Sequence, residues 1–148
     1  MNKYELLQDD KIEVSGRTLY RIRALKDFKG AKAGDLGGYI EKEKNLSQED
    51  NCWVCDNARV FGEAYVCGDA KINKISDVLC ISPIGSRNDA TTFFKTKDGG
   101  ICVKCGCFSG TIDRFLEAVS ETHKDNKHAK AYRLACELAK IQIELENV

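Results

Sequence analysis

The sequence has few of the features that mark several large protein classes. It contains one proline, one methionine and one tryptophan in 148 residues, and 23 acidic side chains balance 23 basic ones. Zero net charge argues against a protein that binds duplex nucleic acid by releasing counterions from phosphates. No apolar run approaches the roughly 20 residues of a membrane-spanning helix, and the N-terminus lacks the apolar core of a signal peptide. These absences predict a cytoplasmic chain with neither duplex nucleic acid nor a membrane as partner.

What the sequence does contain suits a folded domain. Hydrophobic residues make up 43% of the chain, which is enough to form a core. Of the 8 cysteines, seven lie between residues 52 and 107, and Cys136 stands apart. Without a secretion signal, cysteines are expected to stay reduced, as small apolar fillers or as ligands.

A six-residue repeat runs through the middle of the chain. Residues 57–74 read as three hexads, NARVFG, EAYVCG and DAKINK. Branched aliphatic residues recur at every sixth position from 54 to 84, and alanine precedes three of them by two positions, at 58, 64 and 70. A strand whose alternation looks sixfold by chance would fit some of these positions but not all. The repeat favours a solenoid of short parallel strands.

These hexads resemble the left-handed parallel β-helix of hexapeptide-repeat proteins. The segments GDLGGYIE at 34–41, NLS at 45–47, CWV at 52–54 and DNA at 56–58 are similar to uncharacterised, acetyltransferase-like proteins of bacteria and their phages. The resemblance implies a parallel β-helix and homotrimers. With the helices that local signals predict at the C-terminus, the expected fold is mainly β with C-terminal α structure, in a chain of the bacterial cytoplasm. It also implies that residues 18 apart stack, with Val54 over Ile72 and Val60 over Val78.

Local signals divide the chain into four segments of one compact unit. Turn residues at Ser15-Gly16 and Asp98-Gly99 predict β-hairpins. Thr111 and either Asp125 or Asn126 are expected N-caps of two helices that fold back on each other. The expected segments are an N-terminal β cap (1–33), a short left-handed parallel β-helix (34–88), a β-hairpin (89–110) and a C-terminal helical hairpin (111–148).

Histidine and arginine provide the candidate ligand-binding residues. The resemblance implies a catalytic histidine at the solenoid edge, but residues 1–122 contain none. His123 and His128 lie at the junction of the two predicted helices, either as a polar corner or as contacts for a ligand, with Arg133 nearby in sequence. Arg21 and Arg23 belong to a basic and aromatic cluster that could dock a small anion or could simply face solvent. No catalytic residue is assigned.

Three cysteines are weak candidates for a metal site. Cys102, Cys105 and Cys107 have the spacing of a metal knuckle, because thiolates two or three residues apart can converge on one ion. On a strand, however, Cys105 and Cys107 share one face while Cys102 points to the other. No fourth ligand lies nearby in sequence. Buried fillers are therefore favoured, and neither a metal nor a cofactor is expected.

The sequence favours a binding protein over an enzyme, because no nucleophile, base and orienting group occur together in it. We expect a non-enzymatic homo-oligomer. By the phage resemblance, it would be an anti-defence protein that sequesters a nucleotide signal or blocks a host defence protein. One alternative is a hexapeptide-type acyltransferase that uses His123 or His128 of a neighbouring subunit. Another is a purely structural scaffold.

Overall fold

The computed structural model describes residues 2–143, so the last five residues of the expected helical hairpin lie outside it. The chain divides into two compact units, Met1–Ile75 and Ser76–Val148, here called the N-terminal and C-terminal units. None of the described helices is long and apolar enough to cross a membrane.

The N-terminal unit begins with the predicted hairpin. Its strands are β1 (Tyr4–Val14), β2 (Arg17–Ala24), β3 (Leu36–Ile40), β4 (Trp53–Val54), β5 (Arg59–Val60) and β6 (Lys71–Ile72), with a 3-10 turn at Glu43–Asn45. Val14 pairs with Arg17 across the turn. Ser15 and Gly16 both adopt positive φ there, at 49° and 80°, as the tightest hairpin turns require. The turn chemistry was therefore sufficient to predict this hairpin.

The prediction of a short left-handed parallel β-helix is wrong. In the N-terminal unit, the described strands form a mixed sheet in the order β1-β2-β3-β5 and a separate pair β4-β6, while residues 78–111 of the C-terminal unit form a four-stranded antiparallel sheet. Among residues 2–143, parallel pairing occurs between β3 and β5, between β4 and β6, and at a single bridge between Leu46 and Val66. Each of the two parallel strand pairs is only two residues long. The described residues therefore form three separate sheets in place of one continuous β-helix.

The six-residue period predicts one of the observed strand pairings but not another. Val54 pairs in parallel with Ile72, as the spacing of 18 predicts. Val60 instead pairs with Ile40, and Val78 lies on a strand that pairs antiparallel with its neighbour. Because six is a multiple of the two-residue period of any strand, aliphatic residues six apart also share one face of a hairpin. The period alone therefore did not separate the two arrangements.

The C-terminal unit is an antiparallel sheet followed by two helices. Its elements are β7 (Val78–Ile84), β8 (Asp89–Lys95), β9 (Ile101–Cys105), β10 (Phe108–Thr111), α1 (Ile112–His123) and α2 (Lys127–Gln142). The predicted hairpin around Asp98-Gly99 is present, with Lys95 paired to Ile101. Thr111 caps α1 by accepting a hydrogen bond from the Arg114 backbone N–H at 3.2 Å. Both predicted helices are therefore confirmed.

Each unit has its own apolar core. In the N-terminal unit, tyrosine, tryptophan and branched aliphatic side chains are buried together; they include Tyr4, Leu19, Ile22, Ile40, Leu46, Trp53, Val54 and Ile72. In the C-terminal unit, one face of each helix packs on the sheet; the buried members include Phe93, Val103, Phe115, Val119, Tyr132, Cys136 and Ala139. The second core supports a pocket in the C-terminal unit.

Candidate functional site

A pocket of about 130 Å³ opens on the C-terminal unit, among α1, α2 and the strands β9 and β10. Its lining combines an apolar wall with a few polar groups: Cys105, Phe108, Phe115, Ala118, Val119, Thr122, His123 and Tyr132. Pockets for drug-sized ligands usually measure about 300–1,000 Å³. This one therefore suits a short chain or a small group.

Helix α1 places His123 at the pocket because of its spacing. Phe115, Val119 and His123 follow one another at intervals of four residues, so they lie on one face of the helix. Phe115 and Val119 are buried, which fixes that face against the sheet. The helix ends at His123, since Lys124 takes a positive φ of 55°. His123 is therefore half-buried at the edge of an apolar surface.

A tight connection between the helices brings the second histidine close. The Asn126 side chain caps α2 by accepting hydrogen bonds from the backbone N–H groups of His128 and Ala129, at 3.0 and 3.1 Å. The ring centroids of His123 and His128 are then 5.5 Å apart. Within residues 2–143, the ring nitrogens of these two histidines form no hydrogen bond. They can therefore interact with a bound molecule.

Aromatic rings hold His123 in place. Tyr132 stacks against the His123 ring with centroids 6.0 Å apart and planes inclined by 28°. Phe115 meets Tyr132 edge-on at 5.3 Å, and Phe108 lies 5.3 Å from Phe115. Such pairs add about 0.5–1.5 kcal/mol each beyond simple burial. They order the pocket wall without occupying the nitrogens of His123.

A series of polar contacts joins three side chains beside these rings. The Thr91 hydroxyl donates to Cys105 Sγ at 3.1 Å, and Cys105 Sγ lies 3.8 Å from the Tyr132 hydroxyl as a weak donor. Burial, aided by the contact with Cys105, raises the pKa of Tyr132 to about 12. Tyr132 therefore stays protonated at neutral pH.

Gly85 makes room for the Tyr132 hydroxyl. A Cβ at position 85 would overlap this hydroxyl, and Gly85 also has a φ of +84° that other residues rarely adopt. The close approach therefore requires glycine.

Arg133 is near the histidines but contacts the chain itself. Its guanidinium donates to Asp125 Oδ1 at 3.0 Å, to the Lys124 carbonyl at 2.8 Å and to Ser120 Oγ at 3.4 Å. These contacts tie the end of α1 to the start of α2. In this arrangement Arg133 supports the connection that positions His123 and His128.

Arg21 and Arg23 belong to the N-terminal unit and also bind other parts of that unit. Arg21 donates to Asp10 at 2.9 Å, to the Gly37 carbonyl at 2.7 Å and to the Tyr39 hydroxyl at 2.7 Å. Arg23 pairs with Glu5 at 2.7 Å. Both side chains therefore link neighbouring strands of β1, β2 and β3.

The three candidate metal ligands separate in the sheet. Cys102 pairs with Phe94, and Cys105 pairs with Thr91 on the same neighbouring strand. Cys107 lies exposed in the turn that follows β9. Among the described residues, no group of three histidine, cysteine, aspartate or glutamate side chains could hold a metal ion. Cys105 instead lines the pocket with His123.

The sequence offered both histidines as candidates, of which His123 lines the pocket, but it did not predict the aromatic part of the lining. The available signal was helical spacing, since Tyr132 follows His128 by four residues and therefore shares its face. The contribution of Phe108 had no such signal, because it reaches Phe115 from a different element.

Comparison with known proteins shows a partial relationship. No protein-family model matches the chain. A segment of 59 residues is 44% identical to the Escherichia coli K12 protein named uncharacterized acetyltransferase YdcK. The match covers 39% of this chain and 18% of that protein, so the chain spans under a fifth of this relative. Over this segment the chain is therefore similar to a protein named as an acetyltransferase, whereas the hexapeptide repeat is not confirmed.

Proposed function

We propose that the chain takes part in acyl transfer, with the pocket of the C-terminal unit holding a short acyl group and His123 acting as general base. The observation that carries the proposal is the half-buried His123 ring at the edge of an apolar pocket, with no hydrogen bond to its nitrogens from the described residues. The partial relative named as an acetyltransferase supports the same chemistry. The nucleotide-sequestering and defence-blocking roles are untested predictions of the sequence.

The proposed step moves one proton and exchanges one acyl bond. A ring nitrogen of His123 takes the proton of an acceptor amine or hydroxyl while that acceptor attacks the carbonyl carbon of an acyl thioester. The new C–N or C–O bond forms, the C–S bond breaks, and the thiol leaves with the proton returned from His123. Tyr132 stays protonated at neutral pH, so the base role belongs to histidine.

The apolar wall sets the acyl class. Phe108, Phe115 and Val119 supply carbon surface but no charge, which favours the alkyl end of an acyl group over a phosphate or carboxylate. The small volume favours chains of about two to four carbons, since each further methylene needs apolar space within the pocket. A large carrier would stay outside with only its acyl end inserted.

A chain-length series tests this proposal. The protein is incubated with acyl-coenzyme A thioesters of increasing length and a panel of primary amines and alcohols. Release of free coenzyme A is followed by chromatography, because the 8 cysteines would react with thiol-detecting dyes. We expect turnover to be highest with the shortest chains. Ala118→Leu, which adds bulk to the lining, should lower turnover of four-carbon chains by about tenfold more than that of acetyl.

Two results would count against acyl transfer. One is that calorimetry detects no acyl-coenzyme A binding and no acceptor supports turnover. The other is that Ala118→Leu leaves the chain-length profile unchanged, which would place the reaction outside this pocket.

A second candidate, a homo-oligomeric binding protein, is favoured by helix α2. Leu134, Leu138 and Ile141 are exposed by 72%, 47% and 77%, and their spacing of four and three residues puts them on one face. A row of exposed large aliphatic residues is typical of an interaction surface. We propose a second copy of α2 as its occupant. In an antiparallel pair, Glu137 of one copy would face Lys140 of the other, giving opposite charges beside the apolar row.

Sedimentation velocity over a range of protein concentrations tests this surface. The unchanged protein should associate, and Leu138→Glu should weaken association at least tenfold because it places like charges in the contact. Ile75→Glu provides the matched control, since Ile75 is a 52% exposed aliphatic residue of the other unit. A protein that stays monomeric at every concentration would contradict the proposal. The sedimentation mass also tests the predicted homotrimer.

A further inference from the structure

The N-terminal unit buries a lysine against a cysteine. Lys3 is 1% exposed and Cys52 is fully buried. Lys3 Nζ lies 3.4 Å from Cys52 Sγ and donates to the carbonyls of Cys52 and Glu49 at 2.8 and 3.0 Å. Its ammonium position is also 4.9 Å from the centre of the Phe28 ring. An amine and a thiol are therefore held together in a site that excludes bulk solvent.

The buried site holds Lys3 and Cys52 in place more firmly than a contact on the surface would. Fully buried lysines are rare because removing an ammonium from water is costly. The carbonyl contacts hold Nζ in one place, while Cys52 Sγ also lies 3.7 Å from the Ser47 carbonyl. Neither side chain can rotate away without leaving a buried group unpaired. The amine and thiol thus remain neighbours throughout the folded state.

We propose that Lys3 and Cys52 form a reversible covalent bridge through one oxygen atom, linking lysine nitrogen to cysteine sulfur, when the protein meets a peroxide. One amine, one thiol and two molecules of hydrogen peroxide give the N–O–S bridge and three molecules of water. An N–H and an S–H bond break, and N–O and O–S bonds form. Nitrogen and sulfur each lose two electrons, and the two peroxides accept all four.

Burial also favours the reactive form of the amine. It lowers the pKa of Lys3, chiefly because the charged form is desolvated. A larger share of neutral amine exposes the nitrogen lone pair that must bond to oxygen. Burial raises the pKa of the Cys52 thiol, so sulfur is protonated in the resting pair and reacts with peroxide through its minor thiolate form. Small oxidants such as peroxide can reach sites that larger reagents cannot.

The bridge would have a structural consequence. It would join residues 49 positions apart, holding the start of β1 to the segment that precedes β4. A cross-link of this span restricts the unfolded chain, as a disulfide does. Oxidation would therefore raise the thermal midpoint of the N-terminal unit, and thiols would reverse the change. The proposal concerns a different unit from the acyl-transfer pocket and does not depend on it.

Peptide mapping of the peroxide-treated full chain tests the bridge. Trypsin does not cleave after a modified lysine, so a bridged protein should yield residues 1–11 joined to residues 45–59. The joined peptide should have the summed mass of its two parts plus one oxygen and minus two hydrogens. Dithiothreitol should separate it into its parts, because thiols reduce the N–O–S link. Oxidation of Met1 adds a further oxygen and is scored separately.

Matched variants assign the two linked atoms. Lys3→Arg and Cys52→Ala should each abolish the joined peptide, whereas Cys55→Ser should retain it, since Cys55 lies on the same tryptic fragment. Because the decisive measurement uses the unchanged protein, unfolding of a variant would not obscure the answer. Three results would overturn the proposal: cysteine oxidation without any joined peptide, a joined peptide of the same mass that survives dithiothreitol, as a sulfinamide with the oxygen on sulfur would, or a link lost in Cys55→Ser.

Discussion

Replacing His123 by glutamine is expected to lower kcat for acyl transfer by about 10²–10⁴-fold, the usual contribution of a general base. Glutamine keeps a polar side chain of similar length but cannot take the proton of the acceptor. The KM for the acyl thioester should change little, because the apolar wall of Phe108, Phe115 and Val119 stays intact. Initial rates of coenzyme A release over a range of thioester concentrations separate the two parameters.

The neighbouring histidine provides the comparison. His128 contacts the His123 ring at 5.5 Å but does not line the pocket, so His128→Gln should cost less than about tenfold in kcat. Circular dichroism and thermal melting establish that both variants fold. Equal losses in the two variants would show that the pair acts only by packing. An unchanged kcat in His123→Gln would remove the base role altogether.

Local chemistry predicted the elements whose ends depend on a single residue type. Thr111 can accept a backbone hydrogen bond wherever a helix begins, and Gly99 can adopt a φ of 88° at little cost. Such preferences operate between neighbours in the chain. The sequence therefore indicated both hairpins and both helices correctly, even though the β-helix placed between them was wrong.

Strand partners were not predictable from the repeat. The same aliphatic spacing occurs in Val54, which pairs in parallel, and in Val78, which pairs antiparallel. Pairing direction depends on where the chain turns back, and those turns lie outside the repeated positions. A periodic pattern thus specifies which side chains face inward but not which strand they meet.

In the candidate site, too, features set by neighbouring residues were predictable and long-range contacts were not. His123 and His128 were candidates because they lie at the junction of the predicted helices, and the short connection between the helices explains their proximity. Cys105 was considered only with Cys102 and Cys107, its neighbours in sequence. Its actual neighbours, Thr91 and Tyr132, are 14 and 27 positions away. Contacts of that range arise from packing of the whole unit, so spacing within the cysteine motif carried no information about them.

Nothing in the sequence indicated that Lys3 is buried. We expect its replacement to cause a large loss in the free energy of unfolding. Lys3→Met keeps the length of the side chain but removes the donor to the carbonyls of Cys52 and Glu49 and, at 3.4 Å, of Asp50. Each buried acceptor left without a partner costs about 1–3 kcal/mol. Relief of the ammonium's desolvation offsets part of that cost. We expect the N-terminal unit to lose about 3 kcal/mol in its free energy of unfolding.

Trp53 makes this loss measurable for the N-terminal unit. It is the sole tryptophan of the chain, is buried in that unit, and packs edge-on against Phe28 and Tyr4 with centroids 5.4 and 6.2 Å away. Its fluorescence during urea unfolding should shift to a lower midpoint in Lys3→Met with little change in slope. Lys32→Met, at an exposed position, should leave the midpoint within about 0.5 kcal/mol of the original. Equal stability of the two variants would mean that water satisfies the carbonyls when Lys3 is removed, and that the buried ammonium contributes no net stability.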